Sequence, residues 1–423
     1  MLFLNGKKHT KSTPESTSLS LKTINLMSKS NQYKTLTLVN HSSHKLIILG
    51  GTFDPFHNGH FSIIKAIKEY FPNSKILLIP TYQSPFKKES MLSARQRLLL
   101  LTKLSIIIPN LIIDPYEINK EKVSYSIDTI AYIKNKFPSF DLYFCMGEDA
   151  AQSFTKWKNF KSILGLTTLL IVPRTSSQSS RVLEKLTYPP QSVLLPMTKI
   201  DISSTEIKSK NRPFTKETFQ KWFPETLIKE AKILLNTAPI IGLTGQVGTG
   251  KTEATTFLSK TFAIEIIDLD LIGHSILEET PTIKNLVSTF GATILDETNK
   301  ISRTHLGKIV FSDKHKLVLL NKIVHPLILE KTLILLSKRD KPTIIVGSLL
   351  QEIGILDYCS KVVCITGKSD TIIKHIGEKK YNRRQFQQSE KTLLRNSDHT
   401  ISNDYTKNFY SKLTELFNSL LGL

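Results

Sequence analysis

Residues 50–60 read GGTFDPFHNGH, and residues 245–252 read GQVGTGKT. Each stretch follows a short apolar segment typical of a β-strand and precedes a segment whose apolar residues recur at helical spacing. Glycine turns of this kind present backbone N–H groups, and the helix N-terminus adds positive charge, so both stretches can hold phosphate. Because the flanking residues differ, the two stretches support different chemistry. The sequence therefore indicates two nucleotide-handling enzymes fused in one chain.

Short apolar segments alternate with amphipathic helices from Lys45 onward. This alternation predicts mainly parallel sheets with helices on both faces, and ligand sites at the carboxyl ends of the strands. The predicted strands are residues 46–49, 76–79, 111–113, 142–146 and 169–172 in the first half, and 240–243, 264–267, 343–346 and 361–365 in the second.

The chain is expected to be an α/β protein with two domains, residues 45–236 and 239–423, joined by a short linker at 236–239. Residues 1–44 are rich in Ser, Thr and Lys and lack periodic apolar structure. We expect a disordered extension there, or a true start at Met27.

Composition limits the functional classes. The longest apolar run is interrupted by Pro109 and Asn110 and stays short of the ~18 residues of a membrane span, so we expect a cytoplasmic protein with no membrane partner. Cys145, Cys359 and Cys364 form neither a disulfide framework nor a metal-ligand pattern. The net charge of +21 comes from scattered lysines without a basic block, so we expect no nucleic-acid partner. A positive field also suits small polyanionic substrates.

The first stretch places His57 and His60 three residues apart at a helix start, where both rings can lie on one side of the first turn. Two imidazoles beside a glycine turn can stabilise phosphate charge that grows during a reaction. We therefore expect both histidines to be catalytic. No nearby Ser or Cys has a triad-like context, which predicts transfer without a covalent enzyme intermediate.

This string resembles the nucleotidyltransferase signature with its His-x-Gly-His core, and it is most similar to bacterial nicotinate-nucleotide adenylyltransferases. The resemblance spans roughly residues 45–235 and implies a Rossmann-like domain that joins nicotinate mononucleotide to ATP and releases pyrophosphate. Further motifs match in order: Ser93 with Arg97-Leu98, Ser124-Tyr125-Ser126 with Asp128-Thr129, Gly147 with Asp149, and Ile202-Ser203-Ser204-Thr205.

The resemblance assigns two groups of binding residues. ATP is expected to contact Gly51, Thr52, Phe53, Ser203, Ser204, Thr205 and Lys208. Nicotinate mononucleotide is expected to contact Lys87, Tyr125, Ser126, Asp149 and Trp157. Two positions depart from the family. Phe86 stands where a histidine is usual before Lys87, and Lys208 replaces an arginine, which keeps the charge but loses the bidentate fork.

The second stretch fits the phosphate-loop pattern Gly-x4-Gly-Lys-Thr, which is strong after a predicted strand. Lys251 is expected on the β- and γ-phosphates of ATP, and Thr252 on the accompanying Mg²⁺. Asp268 and Asp270 follow the next strand and offer carboxylates for Mg²⁺ and for general-base work, with a helix cap as the other role. The expected ATP-binding residues are Gly245, Gln246, Val247, Gly248, Thr249, Gly250, Lys251 and Thr252.

Residues 241–270 resemble dephospho-coenzyme A kinase, a P-loop NTPase of the nucleoside-monophosphate-kinase type. Leu320-Asn321 with His325-Pro326, Phe290-Gly291-Ala292, and Ile301 with Arg303 match that family too. The resemblance implies that Asp270 takes the proton from the 3′-hydroxyl of dephospho-coenzyme A.

This half departs further from its family. His274 replaces an arginine, and the lid keeps Lys374 and an Arg383-x3-Gln387 pair but loses at least one arginine. Lid cations stabilise the transferring phosphoryl group, so their loss predicts a slow kinase.

Two alternatives stay open. The first half could be a phosphopantetheine adenylyltransferase, but that family has Thr where this chain has His57 and lacks the run of Gly147, Asp149 and Trp157. The second half could bind nucleotide without catalysis, because its lid is degraded. The favoured partners are ATP, nicotinate mononucleotide and dephospho-coenzyme A.

Overall fold

The computed structural model describes residues 44–82, 90–173, 192–197, 202, 204–208 and 215–422. Apart from His44, the expected disordered extension and the alternative start at Met27 lie outside these ranges. Among the described residues, no helix combines the length and apolar character needed to cross a membrane. All three cysteines are buried and unpaired, as expected.

The first half is built on a six-stranded sheet in the order β3-β2-β1-β4-β5-β6, and every neighbouring pair is parallel. The central strand β1 lies between β2 and β4, where the chain order changes direction, and this is where ligands bind in such sheets. The strands are β1 (Lys45–Gly51), β2 (Lys75–Pro80), β3 (Leu111–Ile113), β4 (Asp141–Gly147), β5 (Thr168–Val172) and β6 (Ser192–Leu194).

Helices cover both faces of this sheet. Ile47 and Leu49 of β1 pack into one apolar cluster, and Leu46 and Ile48 pack into the other, because successive strand residues point to opposite faces. The helices are α1 (Asn58–Tyr70), α2 (Ala94–Ile107), α3 (Tyr116–Asn119), α4 (Ser126–Lys136), α5 (Glu148–Gln152), α6 (Phe160–Leu166), α7 (Ser204–Lys208), α8 (Lys216–Trp222) and α9 (Ile228–Leu234). Short 3₁₀ helices lie at Phe154–Lys156 and Glu225–Leu227.

The second half is built on a five-stranded parallel sheet in the order β11-β10-β7-β9-β8. Its central strand β7 carries the second glycine stretch. The strands are β7 (Ile240–Thr244), β8 (Glu265–Asp268), β9 (Thr343–Val346), β10 (Lys361–Thr366) and β11 (His399–Ser402).

Helices again surround the sheet. They are α10 (Lys251–Thr261), α11 (Leu269–Ile276), α12 (Thr280–Phe290), α13 (Arg303–Phe311), α14 (Lys314–Ser337), α15 (Leu350–Ile353), α16 (Ser369–Ile376), α17 (Glu378–Tyr381), α18 (Glu390–Arg395) and α19 (Lys407–Leu421). Short 3₁₀ helices lie at Ala292–Ile294, Leu356–Tyr358 and Asn382–Phe386. The predicted pair of parallel α/β sheets is confirmed.

The sequence analysis did not predict two of the strands, β6 and β11. Both β6 and β11 end a sheet and pair on one side only, so neither needs the apolar run that marks a central strand. In β11, Ile401 is buried while Thr400 and Ser402 are exposed. The domain boundaries at 236 and 239 stay a prediction.

The two halves are tied together at the predicted linker by Arg339. This buried guanidinium donates hydrogen bonds to the carbonyl oxygens of Ile233 at 2.7 Å and Ala238 at 3.1 Å, and also to Leu336 at 2.9 Å. Asn236 Nδ2 donates in turn to the Arg339 carbonyl at 3.0 Å. The linker is therefore held by side-chain hydrogen bonds from the second half.

Replacing Arg339 by Met should lower the free energy of unfolding by about 2–4 kcal/mol, because buried carbonyl oxygens lose their donors. The measurement is the midpoint of urea-induced unfolding. The exposed Arg303→Met is the matched control and should change stability by less than about 0.5 kcal/mol. Equal midpoints for the two variants would show that the Arg339 bonds do not hold the junction.

Candidate active sites

The first glycine stretch brings His57 and His60 together at the start of α1. His57 is the N-cap residue, and its Nδ1 accepts a hydrogen bond from the Gly59 N–H at 3.1 Å. His60 Nδ1 accepts from the His57 N–H at 3.3 Å, and the two ring centroids lie 3.9 Å apart. Because each Nδ1 is an acceptor, each neutral ring carries its proton on Nε2. The site thus holds two neighbouring Nε2–H donors on rings that are tilted by 32°.

Burial keeps both rings neutral at ordinary pH. It lowers the pKa of His57 from 6.5 to about 4. Burial also lowers the pKa of His60 well below 6.5, and the neighbouring His57 adds to that effect. Neutral donors fixed by the backbone can stabilise charge that appears on a phosphate during reaction without prior reorganisation.

Gly59 makes this arrangement possible. A Cβ at this position would lie 2.9 Å from the His57 ring and 3.1 Å from the Ile202 carbonyl oxygen. The glycine therefore lets α1, the His57 ring and the segment before α7 approach closely. Ser204 and Thr205, two expected ATP contacts, form the first turn of α7.

Sequence reasoning gave Arg97 no role, yet it organises the loops of this site. The buried side chain donates from Nη1 to the carbonyl oxygens of Thr52 and Thr81, both at 2.7 Å, and from Nη2 to that of Tyr82 at 2.8 Å. These bonds join the ends of β1 and β2, which positions the expected ATP contacts Gly51, Thr52 and Phe53. The match of Arg97-Leu98 to a family motif was the available signal.

Lys208, an expected ATP cation, forms an ion pair with Asp54. The Asp54 carboxylate also accepts from the N–H groups of Met91 at 2.9 Å and Leu92 at 2.8 Å. An ATP phosphate would therefore share the Lys208 ammonium with Asp54. The other expected contacts Lys87 and Ser203 lie outside the described residues.

The described pyridine contacts lie at two helix starts and in the segment after β4. Tyr125 is the N-cap residue of α4 and Ser126 begins the helix, while Asp149 lies in the first turn of α5. Lys158, next to Trp157, places its Nζ 4.1 Å from the centre of the Tyr125 ring. The half-buried Trp157 ring lies 5.5 Å from that of Phe154. The structure thus brings together two segments that are far apart in sequence.

The second glycine stretch turns tightly between β7 and α10. Gly248 has φ 81, and a Cβ there would lie 2.4 Å from Ile376 Cδ1. Lys251 Nζ donates to the carbonyl oxygens of Gly245 at 2.7 Å and Gln246 at 3.1 Å. Burial lowers the pKa of Lys251 to about 8, and the Asp270 carboxylate opposes that shift. Lys251 and Asp270 therefore belong to one electrostatic site.

The structure separates the roles of the two carboxylates. Asp268 is the N-cap residue of α11, where its Oδ1 accepts from the N–H groups of Asp270 at 2.8 Å and Leu271 at 3.2 Å. Asp270 instead lines a cavity of about 200 Å³ with His274, Asn321 and His325. Burial and the neighbouring Asp268 raise the pKa of Asp270, while Lys251 lowers it. Of the pair, Asp270 is the one that lines the cavity.

The residues at this site fit a magnesium ion that arrives with ATP. Within the part of the chain that the structure describes, no three His, Cys, Asp or Glu side chains cluster as a metal site. Mg²⁺ commonly binds phosphate oxygens and water with one or two protein ligands. The hydroxyl of Thr252, in the first turn of α10, suits that role.

Comparison with known proteins assigns each half to a class. Residues 48–210 match the cytidylyltransferase-like family model, and residues 239–408 match the dephospho-CoA kinase family model. A protein from Aliarcobacter butzleri named "Probable nicotinate-nucleotide adenylyltransferase" is 32% identical over 165 residues, covering 39% of this chain and 86% of that protein. The protein of the same name from Thermotoga maritima is 30% identical over 198 residues, and the match covers 46% of this chain and 93% of that protein.

Among solved structures, the dephospho-CoA kinase from Campylobacter jejuni superposes with a TM-score of 0.32 and 21% sequence identity. The alignment covers 44% of this chain and 99% of that one. On the sequence relatives, this chain belongs to the nicotinate-nucleotide adenylyltransferase family through its first half and carries a dephospho-CoA kinase domain in its second. The predicted fusion is confirmed.

The proton state of the histidine pair is testable by NMR titration of ¹³C-labelled histidine. Between about pH 8 and pH 5, the His57 resonance should not titrate, because its folded pKa lies far below the ordinary value. Since the unfolded chain binds more protons in that window, stability should fall as the pH drops from 6.5 towards 4. The His57→Asn variant lacks the His57 resonance and so identifies which signal belongs to His57. A His57 midpoint near 6.5 would contradict the proposed neutral donor.

Proposed function

We propose that this chain is a bifunctional enzyme of cofactor biosynthesis. Residues 45–236 would transfer the adenylyl group of ATP to nicotinate mononucleotide, and residues 239–423 would transfer the γ-phosphoryl group of ATP to the 3′-hydroxyl of dephospho-coenzyme A. The observation that carries the proposal is the presence of two separate strand–helix junctions, each with its own pair of neighbouring candidate side chains: His57 with His60, and Lys251 with Asp270.

In the first reaction, a phosphate oxygen of nicotinate mononucleotide attacks the α-phosphorus of ATP, and the bond to the leaving pyrophosphate breaks. The Nε2–H groups of His57 and His60 would donate to the phosphate oxygens on which charge accumulates. The backbone of Thr52 and Phe53, held by Arg97, would orient the α-phosphate. The site needs no covalent enzyme intermediate because the substrate supplies its own anionic nucleophile.

In the second reaction, the 3′-hydroxyl of the acceptor attacks the γ-phosphorus of ATP, and ADP leaves. Asp270 would accept the hydroxyl proton, and Lys251 would neutralise charge on the β- and γ-phosphates. Mg²⁺, when bound with ATP through Thr252, supplies further charge neutralisation. The cavity beside Asp270 and His325 would receive the acceptor.

The two alternatives have weaker support. The relatives of the first half carry the nicotinate name, and no observation of the site favours phosphopantetheine. A binding-only second half would not explain why Asp270 stands beside Lys251 while Asp268 alone caps the helix. We propose that both reactions take place in the cytoplasm.

The two activities should be separable by single substitutions. His60→Ala should lower adenylyl transfer by about 100- to 1,000-fold, as loss of one transition-state donor does. It should leave phosphorylation of dephospho-coenzyme A unchanged. Lys251→Ala should abolish the kinase reaction and spare adenylyl transfer. Pyrophosphate release and coenzyme A formation are measured on the same preparations. Loss of both activities in either variant, with the fold intact, would contradict two independent sites.

A further inference from the structure

The lid segment of the second half, which includes Arg384, Gln387 and Gln388, contacts the glycine loop of the second site (residues 245–252) at Val247. Gln387 Oε1 accepts a hydrogen bond from the Val247 N–H at 2.8 Å, and Arg384 Nε donates to the Val247 carbonyl oxygen at 3.1 Å. Gln246 Nε2 also donates to the Gln388 carbonyl oxygen at 3.0 Å. These bonds fix the end of the lid against the loop that holds phosphate.

Two contacts hold Arg384 against the glycine loop, and part of its guanidinium group makes no hydrogen bond. Its guanidinium lies 4.6 Å from the centre of the Tyr381 ring, while Nε is bound to Val247. Its Nη2 is buried and has no hydrogen-bond partner among the described residues. A buried charged donor without an acceptor is costly, so an anionic oxygen is the natural partner for this group.

The charge of Arg384 also reaches the catalytic lysine. It contributes to the lowered pKa of Lys251, after the larger effect of burial. Two cations that repel each other are both stabilised when a polyanion lies between them. Lys251 and Arg384 both bind carbonyl oxygens of the glycine loop, so both bring positive charge to the segment expected to hold phosphate.

The family resemblance drew attention to different lid residues, Lys374 and the pair of Arg383 with Gln387. Lys374 is exposed in the last turn of α16, and the side chain of Arg383 lies outside the described ones. Arg384, the neighbour of the residue that the resemblance indicated, is the lid arginine that the structure places on the glycine loop.

We propose that Arg384 is a catalytic residue of the second site, whose guanidinium binds the γ-phosphate of ATP and stabilises the phosphoryl group during transfer. This inference rests on the proposed kinase function. In this proposal, Arg384 compensates in part for the lid arginine that the family resemblance indicates is missing. The side chain stays anchored through Nε to Val247, while Nη2 donates to a γ-phosphate oxygen.

The test compares two substitutions that each remove one bond to Val247. Arg384→Ala should lower the turnover of dephospho-coenzyme A phosphorylation by about 100-fold or more, because a phosphate-binding arginine stabilises the transition state. Gln387→Ala should change turnover by less than about 10-fold, because it removes only uncharged hydrogen bonds to Val247 and Ser348. Arg384→Lys should recover part of the lost rate, since it keeps the charge but not the fork. Adenylyl transfer should stay at the wild-type level in all three.

A binding measurement separates this inference from the kinase proposal. Calorimetry compares a His60→Ala chain with a His60→Ala/Lys251→Ala chain, so that the difference reports binding at the second site. There, ATP should bind more tightly than ADP. Arg384→Ala should abolish that preference. If the wild type makes no coenzyme A but the preference depends on Arg384, the kinase proposal fails and the γ-phosphate contact stands. Equal losses of turnover in Arg384→Ala and Gln387→Ala, or an unchanged ATP preference, would overturn the role of Arg384.

Discussion

Both sites depend on the same physical constraint: where a central parallel strand passes into the following helix, a glycine must let the backbone approach other groups closely. At Gly59 an added Cβ would meet the His57 ring, and at Gly248 it would meet Ile376. Because the glycines keep these approaches open, backbone N–H groups and a helix N-terminus converge on one point. The reactive side chains are then arranged around that point by the strands β1 and β7.

Burial sets the charge state at each of these points. In the first site it keeps His57 and His60 neutral, so they act as hydrogen-bond donors and not as permanent cations. In the second site, burial lowers the pKa of Lys251, and the Asp270 carboxylate opposes this shift. The two sites therefore differ in charge: the first presents neutral imidazole donors, and the second presents a lysine beside a carboxylate.

Local patterns predicted much of this from the sequence. The glycine strings, the central strands and the closeness of His57 to His60 depend on residues within one turn or one strand, so the spacing alone indicates them. Edge strand β11 was missed because it lacks an apolar run. Long-range contacts could not be read from spacing: Arg384 is 137 positions from Val247, and Lys208 is 154 positions from Asp54. Only the fold shows that these charges meet.

The fused chain also has contacts between its halves beyond the linker. Helix α2, which carries Arg97 into the first site, also places Arg95 in an ion pair with Asp398 at 2.9 Å. Gln96 Nε2 of the same helix donates to the Tyr358 carbonyl oxygen at 3.0 Å. The two reactions nevertheless use different side chains, so we expect each to proceed without the other.

The central claim is tested most directly by incubating the purified chain with ATP and Mg²⁺ and one acceptor at a time, and by quantifying the products. Nicotinate mononucleotide should give deamido-NAD and pyrophosphate, its amide analogue far less, and phosphopantetheine none. Dephospho-coenzyme A should give coenzyme A and ADP. Pyrophosphate release with phosphopantetheine but not with nicotinate mononucleotide would contradict the first assignment. ATP binding without any coenzyme A formation would contradict the second.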